Sequence, residues 1–467
     1  MILKNRKLNR LIVLLVLVIN QKTSAQDSLS YASFISNVKE FHPLMKIAKN
    51  FGEIASLQIK AAKGGFDPQF TSEYENKFFN SSHYYSVIDA KIKQAVYSSH
   101  YLSAGYKYAQ GDFVNPENRT PNQGLPFIGI ETSLLQGFAF DKRRSDVLKA
   151  EGYSNYLAAE QEAVQNEILF SATGYYFEWI YAIQELALLK KYVTVASDRF
   201  ETVKVLVAVN EVAAIDSVEA SILFQTRLID YQQAQQEYFK KSANLLKSNW
   251  TNDTITNYSM DKIITKDSLD YYYLKARMTQ TSLLTNNDMN NPSLLKLTAQ
   301  GDVLRIDQRL KKELIKPKLD LSYNLLSNKS LSTFNTNNYN WGIKFSMPIG
   351  MRMSRNEFAL SKIRVENNSY EFDTKFNEIQ FKVNYLVKNI AFIDEQIGLA
   401  EKNKNFSTQL LNAEKIKFEA GESSLFLVNT RESKLLESEL KLAAYKTKYI
   451  LTLFELMYTK GTLQFNL

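Results

Sequence analysis

Three histidines, at positions 42, 83 and 100, are the chain's whole supply of imidazole. A zinc site needs three or four His, Cys or carboxylate ligands at short spacings. These three lie far apart, and the 467 residues include no cysteine. His42 stands directly before Pro43 and reads as a helix-start residue. The absence of cysteine also excludes a disulfide scaffold, thiol catalysis and an acylated N-terminal cysteine. No Gly-x-Ser-x-Gly elbow occurs. "KGGFDP" (63–68) has the glycines of a phosphate loop but not its Lys-Ser/Thr ending or the helix that follows. Acid pairs such as Glu437 and Glu439 lie on a charge-dense helical stretch and read as a solvated face. Asp216 with Glu219 keeps two readings: a cation-selective mouth, or first-turn acids favoured by a helix dipole. No catalytic, cofactor-binding or metal residue is assigned, and the chain reads as a non-enzyme without a cofactor.

The elements that would position any site are unusually long and regular. Only 8 prolines and 16 glycines interrupt the chain, while 27 tyrosines and 28 phenylalanines demand a use. The formal charge of +8 suggests a nucleic-acid partner until it is located. Lys4, Arg6, Lys7, Arg10 and Lys22 supply five of those charges within the first 25 residues, leaving +3 for the rest, so nucleic acid is not a partner. "MILKNRKLNR" is a cationic start, "LIVLLVLVI" an apolar run shorter than a membrane-spanning helix needs, and "TSA" a small-residue cleavage site. Residues 1–25 therefore read as a secretory signal peptide.

The remainder says everything twice. "HPLMKIAKNFGEIASLQIKAAKGGFDP" and "NPSLLKLTAQGDVLRIDQRLKKELIKP" each place 25 positions between prolines, Pro43 to Pro68 and Pro292 to Pro317. Gly129, Ser133 and Gly137 match Gly342, Ser346 and Gly350 at an offset of 213. The phrases within "VNEVAAIDSVEASIL" (209–223) and "FEAGESSLFLVNTRESKL" (418–435) align at an offset of 211, setting Asn210 against Gly421 and Ile215 against Phe426. The sequence predicts a tandem duplication, with a first repeat over 26–255 and a second over 256–467.

Each repeat reads helix, strands, very long helix, break, shorter helix. Val164, Ile168, Ala172, Tyr175, Trp179, Ala182, Leu186, Leu189, Val193, Ala196, Phe200 and Val203 form a near-heptad seam. Phe376, Ile379, Val383, Leu386, Ile390, Ile393, Ile397 and Ala400 form a second one. Helices over 143–207 and 354–417 would each be about 95 Å long at 1.5 Å per residue. Shorter helices follow over 215–249 and 425–459. The breaks at 208–214 and 418–424 hold Asn210 and Gly421, residue types that tolerate the reversal of a helical hairpin. Strands are expected over 69–79, 125–136, 317–326 and 339–349, alternating in the manner of a transmembrane β-barrel wall. The first repeat carries 36 extra residues before Gly129. Its tyrosine-rich 84–113 leaves two readings open: extra barrel strands, or an extracellular hairpin. The polar loop 111–124 is expected at the outer rim, reachable from the cell exterior at Asn118.

This arrangement resembles the TolC family of outer-membrane efflux and secretion channels, over essentially the whole chain after the leader. The sharpest carriers are the duplicated helix–Pro phrases and the tip phrases Asn210–Ala213–Asp216 and Phe418–Gly421–Ser424. The variants "AAIDSVEA" and "GESSLFLVNTRE" look like the Bacteroidetes branch. The resemblance implies a mainly helical fold with strands: α-helical hairpins form a periplasmic tunnel, and four strands per chain join a 12-stranded barrel shared by a homotrimer in outer-membrane lipid. It implies a periplasmic adaptor docked at the tips and an inner-membrane pump behind it. The tip, gate and docking residues are then Asn210, Ala213, Asp216, Phe418, Gly421, Ser424, Phe426 and Leu427. Some family members latch the tip with an Arg and two Asp where this chain has Ser423, Leu427 and Thr430. An apolar closure by Phe418, Phe426 and Leu427 is expected instead. The competing reading is an exported coiled-coil structural or adhesion protein without a pore.

Overall fold

The computed structural model describes residues 29–463 apart from 97–98, 253, 256–264, 266, 286–290 and 328–333. The expected leader, 1–25, and the start of the second repeat at 256 lie outside the described residues. In chain order the elements are α1 (Tyr31–Phe41), α2 (Pro43–Lys63), β1 (Gln69–Phe79), β2 (Ser82–Ala95), β3 (His100–Gln110) and β4 (Leu125–Ser133). There follow α3 (Lys142–Ala208), α4 (Ala214–Ser248), β5 (Trp250–Thr251), β6 (Thr254–Ile255), α5 (Leu269–Thr285) and α6 (Pro292–Glu313). The chain ends with β7 (Lys318–Leu326), β8 (Tyr339–Ser346), α7 (Arg352–Glu419) and α8 (Leu425–Lys460). The protein is mainly helical, and α3 and α7 run uninterrupted for 67 and 68 residues. Proline opens α2 and α6, where its missing N–H costs nothing.

The contacts divide the chain into two units, and each draws on both halves of the sequence. One unit holds Ala48–Ala163 and Pro292–Glu378 and contains the principal sheet. The sheet is antiparallel throughout, in the order β1-β2-β3-β4-β7-β8. The resemblance implies four wall strands per chain, and the principal sheet has six. The difference lies in the extra residues of the first half. They form β2 and β3, which stand in the sheet between β1 and β4, so that β1 does not reach β4. The same unit ties helices across the halves through Lys149 with Asp307 and Lys296 with Glu160.

The other unit gathers α1, α4, α5, α8, α3 from Val164 and α7 from Ile379. Its core follows the heptad spacing: Ala182, Leu189, Ala196 and Val203 are buried on α3, and Ile379, Val383, Leu386, Ile390, Ile393, Ile397 and Ala400 on α7. Phe376 departs from the expected seam; it is exposed and stacks on Phe372. The tyrosines find a use here. Tyr176 stacks on Phe34, and Phe177 stacks on Phe454. The Asp267 carboxylate accepts the Tyr31 N–H at 2.7 Å and the hydroxyls of Tyr176 at 2.5 Å and Tyr272 at 3.1 Å. Burial, with the bond to Asp267, pushes the Tyr176 phenol well above its usual range. One carboxylate thus joins α1, α3 and α5.

Candidate functional site: an amphipathic wall and two hairpin tips

Side chains alternate across a strand with period two, so the register fixes the composition of each face. On one face stand Phe70, Tyr74, Ile88, Ile92, Leu102, Tyr106, Ile128 and Ile130. Leu321, Tyr323, Leu325, Trp341, Ile343 and Phe345 continue it across β7 and β8. The opposite face carries Glu73, Glu75, Asp89, Lys91, Lys93, Lys107, Glu131, Asp320 and Lys344. There Lys107 approaches Asp89 at 3.8 Å and Lys93 pairs with Glu131. The apolar face is left uncovered in the single chain: Phe70 is 68% exposed and Phe345 63%. An apolar surface of that extent on a soluble sheet would be an aggregation hazard. A lipid-facing wall with a polar interior has this composition.

β1 and β8 are the edges of the sheet, and among the described residues no further strand pairs with their outer N–H and C=O groups. At one end of the sheet lie the β1–β2 turn, where Asn80 and Ser81 both have positive φ, and the loop 111–124. At the other end the strands meet α2, α3, α6 and α7. Among the described residues no helix is long and apolar enough to cross a membrane.

The hairpin tips belong to the helical unit. At the first, Asn210 has φ +60°, its N–H reaches the Val207 carbonyl at 3.0 Å, and the Glu211 N–H reaches Leu206 at 2.9 Å. At the second, Gly421 has φ +76°, its N–H reaches Phe418 at 3.0 Å, and the Glu422 N–H reaches Lys417 at 2.8 Å. Both are Schellman endings, in which a left-handed residue lets two N–H groups close back on the last helical carbonyls. Corresponding donors and acceptors keep the offset of 211.

The entries into the returning helices differ. Ser424 precedes α8, and its side chain accepts the Leu427 N–H. Ala213 holds the same position before α4 and offers no side-chain acceptor, while Asp216 stands in the first turn. Phe418, Phe426 and Leu427 are exposed in the single chain and build no core within it. The apolar contact between the hairpins uses Leu425 instead, packed with Val203 and Ala220.

Behind the tips lies a polar constellation that no sequence motif marks. Arg199 on α3 donates to Asn429 at 2.7 Å and to Glu432 at 2.6 Å, both on α8. Asn429 in turn donates to Glu219 on α4 at 3.2 Å. Glu414 accepts the Ser423 hydroxyl at 2.6 Å and faces Arg431 Nε at 3.4 Å, and the two hold its carboxyl below the usual range. Their signal in the sequence is faint: Asn429 and Glu432, three apart, put polar atoms on a helix face whose neighbours Val428 and Leu436 are buried. Nothing in this network is arranged for bond-making, and among the described residues no cluster of three His, Cys, Asp or Glu could hold a metal.

No family model matches the chain, and no curated protein matches it. Outer-membrane channels are among its solved structural neighbours. The Campylobacter jejuni CmeC outer membrane channel is 12% identical, with a TM-score of 0.64 over 92% of this chain and 85% of that one. The Vibrio cholerae outer membrane protein VceC is 12% identical, with a TM-score of 0.64 over 92% of this chain and 95% of that one. The open state of the Neisseria gonorrhoeae MtrE outer membrane channel is 12% identical, with a TM-score of 0.64 over 92% and 88%. The chain has the fold of the TolC-type outer-membrane channels.

Proposed function

We propose that this protein is the outer-membrane duct of an efflux or secretion machine, passing cargo outward without chemistry. The observation that carries the reading is the six-stranded sheet with one lipid-suited face, one charged face and two open edges. Open edges are not tolerated in hydrocarbon, so the wall must close on further strands. β1 and β8 run in opposite directions, and a second copy set head to tail therefore continues the antiparallel order. Three copies, the number the family resemblance implies, supply eighteen strands rather than twelve, and barrels of 16–18 strands leave an aqueous channel.

The helices support the same assembly. On α7 the exposed side chains Tyr385, Phe392, Leu399 and Phe406 recur at seven-residue steps, a second seam beside the buried one. Such a stripe needs a partner helix, which a neighbouring copy supplies. In this reading the wall lies in the outer membrane, and the helical hairpins form the periplasmic tunnel. The tips around Asn210, Ala213, Asp216, Phe418, Gly421, Ser424, Phe426 and Leu427 meet a periplasmic adaptor that carries an inner-membrane pump. The two repeats (26–255 and 256–467) supply one hairpin each, behind a cleaved leader. A pore-less coiled-coil protein would have no use for the uncovered apolar face.

Two measurements test this. Detergent-extracted protein should have the native mass of three copies and should conduct ions in a planar bilayer; a single-copy mass or a silent bilayer overturns the reading. Gly421→Val places a β-branched side chain at positive φ, where L-residues are strained by about 1–2 kcal/mol. A Cβ there meets nothing within 4 Å in the single chain, so the added bulk stands outward at the tip. Export should fail while trimer remains in the outer membrane; unchanged export would remove Gly421 from the docking surface.

A further inference from the structure

The loop 111–124 does not simply extend the β3–β4 hairpin away from the sheet. The Phe113 N–H donates to the Tyr84 carbonyl at 3.1 Å, and the Phe113 ring stacks on Tyr84 at 4.3 Å. Thr120 is buried and fastens the loop's other arm. Its Oγ1 accepts the Ala109 N–H at 2.9 Å, its own N–H donates to the Ala109 carbonyl at 3.2 Å, and its carbonyl accepts from Gln110 at 2.6 Å. Arg119 closes the loop on itself through the Gly111 carbonyl at 3.1 Å.

Between these anchors Phe113, Asn115 and Arg119 roof a cavity of about 520 Å³. Its floor includes Glu75, Val87, Asp89, Lys107, Asn324 and Asn340. By register, every one of these floor residues belongs to the charged face of the sheet. The loop therefore leans over the face opposite Phe70, Ile88 and Trp341.

We propose that residues 111–124 form a constriction inside the pore, narrowing the duct at its outer end and setting the width and charge of what passes. This rests on the reading of the sheet as a barrel wall, because only then is the charged face the lumen. An eighteen-strand wall is wide. A loop pinned at Phe113 and Thr120 offers Glu117, Asn118 and Arg119 to that space, in the way pore-lining side chains set selectivity. In this proposal Asn118 faces the lumen at the outer end rather than the cell exterior.

The absence of cysteine makes the test clean. Asn118→Cys and, as a control at the same end of the sheet but opposite Phe78 on the apolar face, His83→Cys are reconstituted as assembled channels and treated with a bulky, membrane-impermeant thiol reagent. Modification at 118 should cut single-channel conductance by roughly half or more, and modification at 83 should leave it unchanged. Replacing residues 111–123 by Asn-Gly, a two-residue hairpin turn, should raise conductance by roughly twofold and admit larger polymers. Complete labelling at 118 with conductance unchanged would overturn the proposal and leave the duct reading standing. A wild-type protein that forms no channel would overturn both. Should the loop replacement fail to assemble, the cysteine variant decides alone.

Discussion

The two halves of the chain agree at the hairpin tips and disagree in the sheet. Their long helices stop with the same pair of backbone hydrogen bonds around a left-handed residue, Asn210 in one half and Gly421 in the other. Among the described residues the first half gives the principal sheet four strands and the second half two. The tip admits little variation, because the reversal requires positive φ and two closing N–H groups at fixed positions. The wall admits additions only in pairs. β1 leaves the end of the sheet that meets the helices and β4 must return to it, so an inserted antiparallel hairpin preserves both chain direction and the exit into α3.

The largest expected effect tests whether the inserted pair is wall. Ile343→Arg puts a charge on the apolar face of β8, and Ile88→Arg does the same on β2, where Ile88 faces Tyr74 and Tyr108. A lipid-facing Arg near the membrane midplane costs about 2–4 kcal/mol. Each variant should abolish the heat-modifiable form in outer-membrane fractions, whereas Asn340→Arg on the polar face should leave it intact. Tolerance of Ile88→Arg beside loss with Ile343→Arg would remove β2 from the wall and restore equality between the halves.

A second effect, on stability rather than on assembly, breaks the likeness of the tips. Arg199 holds Asn429 and Glu432, yet the position 211 residues later is Leu410, so the second half has no arginine at the matching place. The Glu432 side chain is 4% exposed and Arg199 15%. Arg199→Ala strands a buried carboxylate, and removing one partner of a buried pair costs about 3–5 kcal/mol. The low end is expected because Arg199 keeps some contact with water. Thermal unfolding of the helical unit should fall sharply with Arg199→Ala and recover in the double variant Arg199→Met, Glu432→Leu. Equal losses in both variants would mean that the network contributes through packing rather than charge.

Much of this was legible in the sequence, for physical reasons. The seams of α3 and α7 show because a helix buried along one stripe repeats every seven residues. Tyr176, Phe177 and Tyr192 are buried yet fall off the α3 seam. α3 packs on more than one side, with Tyr176 against Phe34 and Phe177 against Phe454, and a single stripe takes one residue per turn. The inserted strands were ambiguous because their lipid-suited face includes Ser86, Ala90 and Ala104, which blur the alternation. The Arg199 fork was hidden because its partners lie 230 and 233 residues away. The tips stood out because Asn210 and Gly421 are the turn-tolerant residues within long helical runs.

The smallest effect concerns how each returning helix begins. Ser424 supplies an N-cap to α8, with the Leu427 N–H bonded to its side chain, while Ala213 leaves α4 without one. The backbone at Ala213 is already extended, with φ −71° and ψ 145°, the conformation an N-cap residue adopts. Ala213→Ser therefore needs no rearrangement and should stabilise the first tip by about 1 kcal/mol, whereas Ser424→Ala should cost the second tip a similar amount. Amide hydrogen exchange over the first turns of α4 and α8 reads the two changes separately, since opening at a helix end is local. Slower exchange near Asp216 in Ala213→Ser and faster exchange near Leu427 in Ser424→Ala are expected. If Ala213→Ser changes nothing, the first-turn acid Asp216 already satisfies the start of α4 through the helix dipole, and the two tips are equivalent at their entries as well as their exits.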